Sequence, residues 1–263
     1  MVELVEKVTI VQIVDDQISE QEDVVVRETP LTIFVNDEEL VTLLCLPQQQ
    51  QNLAVGYLFS EGILSSKAEI ESLIFNENKG VIWIKLTKPF VIDGEFRKGR
   101  TVTTGCARGL TFHQVFDKWS GDFVSSQLKI APQVVRDVVS DLKQRSLLFK
   151  ETGGTHSALL YQNSNFLMER EDIGRHNAID KIIGACLMQD IPGNDKILMT
   201  SGRVSSEILL KTARYQIPIL ISHGAPTSAA LKLADEIGIT LIGFARGKRM
   251  NIYTNSWRVQ QGQ

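Results

Sequence analysis

Cys106, in the stretch Thr103-Thr104-Gly105-Cys106-Ala107-Arg108-Gly109, is the side chain best placed in this sequence for covalent chemistry. Its flanking glycines allow close backbone approach, and Arg108 two residues on favours the thiolate, the nucleophilic form. The other two cysteines read differently. Cys45 lies in Val41-Thr42-Leu43-Leu44-Cys45-Leu46 and Cys186 in Ile182-Ile183-Gly184-Ala185-Cys186-Leu187. In such apolar contexts a thiol behaves as a small core hydrophobe. At this level an inert loop thiol stays open as the alternative for Cys106. His113 could help deprotonate it, but Leu110-Thr111-Phe112-His113 suits a helix surface better.

A second set of residues is suited to binding. Five glycine-containing stretches, 151–157, 171–177, 201–207, 222–228 and 243–249, carry basic or hydrogen-bonding side chains. Their candidate ligand contacts are Gly153, Gly154 and His156; Arg175 and His176; Gly202, Arg203 and Ser205; His223; and Phe244, Ala245, Arg246, Gly247, Lys248 and Arg249. Glycines expose backbone N–H groups, helix N-termini favour anions, and arginines fork onto phosphate oxygens. Together they suit a phosphate-bearing or nucleotide-like ligand. No one stretch is specific, since there is no P-loop and no G-x-G-x-x-G after a strand. Asn177, for instance, could simply cap the helix that follows it. His156, His176 and His223 could form an open zinc site, but they sit in separate loops without short ligand spacing. No Cys-x-x-Cys or His-x-Glu accompanies them, so hydrogen bonding is the preferred role and no metal is expected.

The elements that must position these residues change character along the chain. Up to about residue 120, short alternating runs at 8–13, 31–35, 40–46 and 81–86 read as strands of a mainly antiparallel sheet. Residues 36–39 read as a hairpin turn, and one helix spans about 50–60 with Leu53, Tyr57 and Leu58 on a face. The stretch 118–127 reads as a link. Pro132 then suits a first helical turn, with Val134, Val135, Val138, Val139 and Leu142 on one face. Beyond it an apolar strand, a polar glycine loop and an amphipathic helix recur: strands at 196–200, 217–221 and 239–242, helices at 208–215 and 229–237. This is the pattern of a layered α/β sheet, where ligands bind beyond the carboxyl ends of the strands. The expectation is an α/β protein with a strand-rich domain over 1–125 carrying the Cys106 loop, and a three-layer α/β domain over 126–263 carrying the binding loops.

Bulk properties narrow the class. The chain has 263 residues, 43% hydrophobic and 22% charged, with a net charge of -3. That is ordinary for a globular protein, and it argues against broad nucleic-acid or membrane-surface binding. Three cysteines without framework spacing fit a reducing compartment, and the acidic N-terminus is not a secretory signal. A cytoplasmic protein is expected.

Read in order, the loops closely resemble the FdhD family, the sulfur carriers required for formate dehydrogenase activity. The resemblance runs from about Leu40 to Tyr253. It is carried by Leu53-Ala54-Val55-Gly56-Tyr57-Leu58-Phe59-Ser60-Glu61-Gly62, Thr152-Gly153-Gly154-Thr155-His156, Asp172-Ile173-Gly174-Arg175-His176-Asn177-Ala178-Ile179-Asp180-Lys181 and Ser201-Gly202-Arg203-Val204-Ser205-Ser206-Glu207.

The resemblance implies a sulfurtransferase. Such a protein takes sulfur from a cysteine desulfurase as a persulfide and gives it to the molybdenum (or tungsten) cofactor, which carries two pterin guanine dinucleotides, before insertion into formate dehydrogenase. It implies a second domain like the cytidine-deaminase fold without its zinc site. The persulfide cysteine maps onto Cys106 and a guanine-dinucleotide contact onto 244–249. One departure stands out: where many members carry Cys-x-x-Cys, this chain has Gly109 in the second position. The persulfide is then expected to leave by direct attack on an acceptor. Two dinucleotides exceed one small pocket, so a homodimer with paired sites is expected. The competing readings are a nucleotide-acting hydrolase or deaminase-like enzyme, and a cofactor chaperone without sulfur transfer.

Overall fold

The computed structural model describes residues 3–89, 100–102 and 123–260. Strands β1 (Val5–Val14) and β2 (Gln17–Val26) pair antiparallel as a separate two-stranded ribbon. A five-stranded sheet follows, built from β3 (Thr29–Val35), β4 (Glu38–Cys45), β5 (Ile70–Asn76), β6 (Val81–Leu86) and β7 (Arg100–Val102) in the order β5-β6-β3-β4-β7. The hairpins β3–β4 and β5–β6 are antiparallel, while β3–β6 and β4–β7 are parallel. Both β1–β2 and β3–β4 close on two-residue turns. Asp15 and Asp16, then Asn36 and Asp37, take positive φ, which short-side-chain Asp and Asn tolerate and which matches the twist of the strands.

Helix α1 (Gln50–Ser60) lies under this sheet. Its sequence suggests one apolar face, yet Leu53 to Phe59 are all buried. A helix apolar all round must be covered all round. The sheet residues Leu31, Ile33, Val41 and Ile82 cover one side. The other side meets α4 (Arg175–Met188) of the second body.

That second body begins with α2 (Pro132–Arg145), which has Pro132 in its first turn, and the short α3 (Leu147–Thr152). Strands β8 (His156–Gln162), β9 (Asn165–Asp172), β10 (Lys196–Thr200), β11 (Ile219–Ser222), β12 (Thr240–Arg246) and β13 (Arg249–Ile252) form a sheet in the order β13-β12-β11-β10-β8-β9. Its centre, β10–β11–β12, is parallel, flanked by antiparallel neighbours. Alternate strand residues feed two cores. Leu159, Ile197, Ile219 and Ile242 pack under Val135, Val138 and Leu142 of α2. Leu160, Leu198, Leu220 and Leu241 pack under α4, α5 (Ser206–Arg214) and α6 (Ser228–Ile237). The expected three-layer α/β arrangement is present, and α6 ends at Gly238 with φ +87°. Buried Arg258 ties the stretch 124–126 to this body, donating to the carbonyls of Val124, Ser126 and Gly238.

The two bodies meet where α1 crosses α4 at Gly56 and Gly184. A Cβ on Gly56 would lie 1.8 Å from the Asp180 carbonyl oxygen, and one on Gly184 would lie 1.9 Å from that of Asn52. Neither backbone can yield without parting the helices. Gly184→Ala should therefore lower unfolding free energy by about 1–3 kcal/mol, as overpacking does, despite Ala's higher helix propensity. Urea denaturation measures this, and a neutral or stabilising result would show that the crossing is not tight.

Candidate functional site

The register places the five glycine loops together. β8 runs antiparallel to β10, with Ala158 opposite Thr200, so the start of β8 lies beside the end of β10. β9 runs back along β8, so Asp172 pairs with His156. β11 and β12 end on the same side as β10, and the β12–β13 hairpin turns there between Arg246 and Arg249. Loops separated by up to a hundred residues thus share one rim of the sheet.

Four of them are shaped by one device that sequence reading missed. A side-chain oxygen accepts the N–H of a glycine two residues on: Thr152 from Gly154 at 3.1 Å, Asp172 from Gly174 at 3.0 Å, Thr200 from Gly202 at 3.2 Å and Ser222 from Gly224 at 2.9 Å. These are Asx- and Ser/Thr-type turns, in which the side chain replaces a backbone acceptor and bends the chain sharply. The signal was present as Thr/Asp/Ser-x-Gly at positions 152, 172, 200 and 222.

The loops then lock edge to edge. His156 Nδ1 and Ser201 Oγ are 3.2 Å apart, and the Ser157 N–H donates to the same hydroxyl at 3.0 Å. The Ser222 hydroxyl donates to the Gly202 carbonyl, and the His223 N–H to the Thr200 carbonyl. Phe244 N–H donates to the Gly224 carbonyl, and Arg246 Nε to the His223 carbonyl at 3.1 Å. Gly202 permits a close approach, since a Cβ there would lie 2.8 Å from Arg175 Cβ. Ser205 caps α5 by accepting from the Ile208 N–H. Phe244 has φ +49° at the register shift between Gly243 and Arg246, with Arg249 over its ring.

The resulting surface is positive. Arg203, Arg246, Lys248 and Arg249 are exposed, as are Gly153, Gly154 and Gly247. Arg175 is half-buried, and burial together with neighbouring Arg203 lowers its pKa. Burial also lowers the His156 and His223 pKa values, helped by Arg175 and Arg246 respectively. His176 is the extreme case. Burial, then repulsion from Lys211, Arg175 and His156, pushes its pKa from 6.5 to about 3. Its ring is neutral at neutral pH, so its 3.8 Å approach to the Glu207 carboxylate is not an ion pair. Both His176 Nε2 and Arg175 Nε are buried without a hydrogen-bond partner.

Some expected contacts are placed elsewhere. Ala245 points into the core beneath α2 and is fully buried, so its side chain does not reach the rim. Gly154 backs onto Val26 of the ribbon. Asn177 is not a cap: α4 starts at Arg175 behind the N-cap Gly174, and the Asn177 amide donates to Asp172 at 2.8 Å and to the Leu44 carbonyl at 2.9 Å. Cys45 and Cys186 are fully buried, and burial raises each thiol to about 12. Cys106 and His113 lie outside the described residues. Among the described residues no group of three or more His, Cys, Asp or Glu side chains is arranged to hold a metal ion.

The motif around Arg175 and His176 also joins the two bodies. Asp172 Oδ2 is 2.7 Å from Lys181 Nζ, both side chains fully buried, and accepts the Leu46 N–H at 3.1 Å. Lys181 donates in turn to the Glu171 and Leu46 carbonyls. Further along α4, buried Asp180 bonds Lys211 of α5 and accepts from Ser60 Oγ of α1 at 2.6 Å. The end of β4 is thereby fixed against the rim.

With that geometry in view, comparison with known proteins is decisive. Residues 26–260 match the FdhD/NarQ family. The chain belongs to that family. Among its relatives, the sulfur carrier protein FdhD of Bacillus subtilis is 38% identical over 245 residues, covering 93% of this chain and 94% of the relative. That of Staphylococcus haemolyticus is 38% identical over 252 residues, covering 96% of each. A crystal structure from Desulfotalea psychrophila, described as a formate dehydrogenase accessory protein, superposes with a TM-score of 0.79 at 25% identity over 98% of this chain and all of its own. Among the described residues no helix is long and apolar enough to cross a membrane.

The neutral state of His176 has a measurable consequence. Above its ordinary pKa of 6.5 the ring is neutral whether folded or not. As the pH falls from 6.5 toward 3, the unfolded chain takes up a proton that the fold refuses, so stability is lost across that window. His176→Asn should remove about 1–2 kcal/mol of the stability lost between roughly pH 7 and pH 5. Denaturant titrations at the two pH values test this, and parallel losses in both proteins would contradict it.

Proposed function

We propose that this chain is a sulfur carrier in which Cys106 accepts sulfur from a cysteine desulfurase and passes it to the molybdenum (or tungsten) bis(pterin guanine dinucleotide) cofactor destined for formate dehydrogenase. The observation that carries the reading is the convergence of five glycine-bearing loops on one rim, with Arg175, Arg203, Arg246, Lys248 and Arg249 among them. Guanidinium forks suit the pyrophosphates of a dinucleotide, while an uncharged substrate would gain little from such a surface. Family membership and the names of the relatives support the sulfur role.

The position of β7 supports the identity of the carrier residue. Val102, its last residue, pairs with Leu43, next to the Leu44 carbonyl held by Asn177. Cys106 follows four residues later in sequence, a span of at most about 14 Å. The chemistry in the loading step is thiol exchange. The Cys106 thiolate attacks the outer sulfur of the donor persulfide, the donor S–S bond breaks, and the donor cysteine leaves as a thiolate. Gly109 offers no second thiol to displace the sulfur again, so the outer sulfur passes directly to a nucleophilic acceptor, the S–S bond breaking and Cys106 leaving as a thiolate.

Mass spectrometry after incubation with a desulfurase and cysteine tests the carrier step. Wild type should gain about 32 Da, one sulfur atom, and Cys106→Ala should not. An unmodified wild type would leave a cofactor chaperone without sulfur transfer. In parallel, Arg203→Ala should weaken guanine-nucleotide binding by about tenfold or more, the worth of a charge-assisted hydrogen bond. Unchanged affinity by calorimetry would remove Arg203 from the site.

A further inference from the structure

The turn between β4 and α1 lines a cavity of about 580 Å³, together with Leu4 just before β1 and with Phe75 and Glu77 at the end of β5. None of its lining residues belongs to the five rim loops. On the α1 side the wall is residues 47–52, a proline followed by four glutamines and an asparagine. The cavity adjoins the seam between the two bodies, because Leu46, one residue before Pro47, is held by Asp172.

Its polar groups are of two kinds. The first are acceptors that lack donors. Gln50 is 6% exposed, and its amide nitrogen is turned to the Cys45 thiol at 3.6 Å. Its Oε1, on a side chain that lines the cavity, accepts no hydrogen bond among the described residues. Gln49 Oε1 is buried and also without a partner. An enclosed carbonyl oxygen left so is a standing cost until a donor meets it. The exposed Glu77 carboxylate is a third acceptor on the wall. The second kind are donors that lack acceptors. α1 has no side-chain cap and no acidic residue in its first turn, and the Gln49 carbonyl takes its first bond from the Leu53 N–H. The N–H groups of Gln50, Gln51 and Asn52 therefore have no partner within the helix, at its positive end.

We propose that this cavity binds a free α-amino acid with an apolar side chain: the carboxylate on the α1 N–H groups, the ammonium on Gln50 Oε1 and Glu77, and the side chain against Leu4, Pro47 and Phe75. The lining disfavours other classes. It holds no lysine or arginine, so a phosphate would meet a carboxylate and no full countercharge. An amine alone would leave the helix N–H groups without an acceptor. A carboxylic acid alone would leave the carboxamide oxygens and Glu77 without a donor. A zwitterion is neutral in sum and meets both sets. The volume lies within the range of small-molecule sites, roughly 300–1,000 Å³.

Isothermal titration calorimetry of the full chain with L-phenylalanine tests this. Wild type should bind with a Kd of about 1 mM or tighter. Phenylalaninamide, which lacks the carboxylate, and 3-phenylpropionate, which lacks the ammonium, should each bind about tenfold more weakly or worse. N-acetylphenylalanine, which has the carboxylate of a peptide C-terminus and no ammonium, should be weakened as much. Gln50→Leu, which keeps most of the side-chain volume, and Glu77→Gln should each weaken binding by about tenfold. Glu77 is exposed, so its variant decides the matter even where Gln50→Leu disturbs the fold. A wild type that does not bind, any analogue that binds as tightly as the amino acid, or a Glu77→Gln protein that binds like wild type would overturn the proposal. Persulfide loading of Cys106 is read by mass and does not involve the cavity, so neither result decides the other.

Discussion

The rest of the structure depends on the buried Asp172–Lys181 pair. It lies at the seam between the two sheets, and each partner is fully enclosed. Such a pair is tolerable only when every remaining lone pair and proton is used, because desolvation otherwise outweighs the attraction. Here they are used. Asp172 accepts from the Gly174 and Leu46 N–H groups and the Asn177 amide, and Lys181 donates to the Glu171 and Leu46 carbonyls. The pair therefore does more than join two charges. It bends the 172–174 turn, starts α4 at Arg175, and anchors the end of β4, beside which β7 leads toward Cys106. The Gly56–Gly184 crossing and the Asp180–Lys211–Ser60 cluster extend the same seam along α4.

One ten-residue motif thus has two kinds of work. Asp172, Asn177, Asp180 and Lys181 face inward and hold the bodies together, while Arg175 and His176 face the rim between them. Residues three or four apart share a helix face, so 177, 180 and 181 line the seam. His176, one turn before Asp180, lies at the border of seam and rim, near enough to Lys211 to feel its charge. His176 is held neutral by its surroundings. It can offer or accept a hydrogen bond at the rim without adding to the charge that the arginines already concentrate there.

Much of this was legible in the sequence, and the rest had physical reasons to be hidden. β3, β4 and β6 announce themselves by alternation because one face of each is buried. β2 and β5 do not, since Gln17–Val26 stands largely in water and Ile70–Asn76 lies at a sheet edge. The rim loops were legible because sharp turns at strand ends require glycine and short polar residues. The role of Asn177 was hidden because its partner, the Leu44 carbonyl, is 133 residues away. Ala245 was placed at the rim by its neighbours, whereas strand alternation turns it inward. Cys45 and Cys186 were readable from apolar context alone.

The central claim is that the buried pair holds the end of β4 to the rim. Amide hydrogen exchange of Leu46, whose N–H is held by Asp172, tests it most directly. In Lys181→Met, an unpaired Asp172 should cost about 3–5 kcal/mol of stability. Leu46 and the 172–177 turn should lose protection together, with the cores beneath α2 and around β3 retaining theirs in native conditions. Leu46 protection unchanged from wild type would contradict the account.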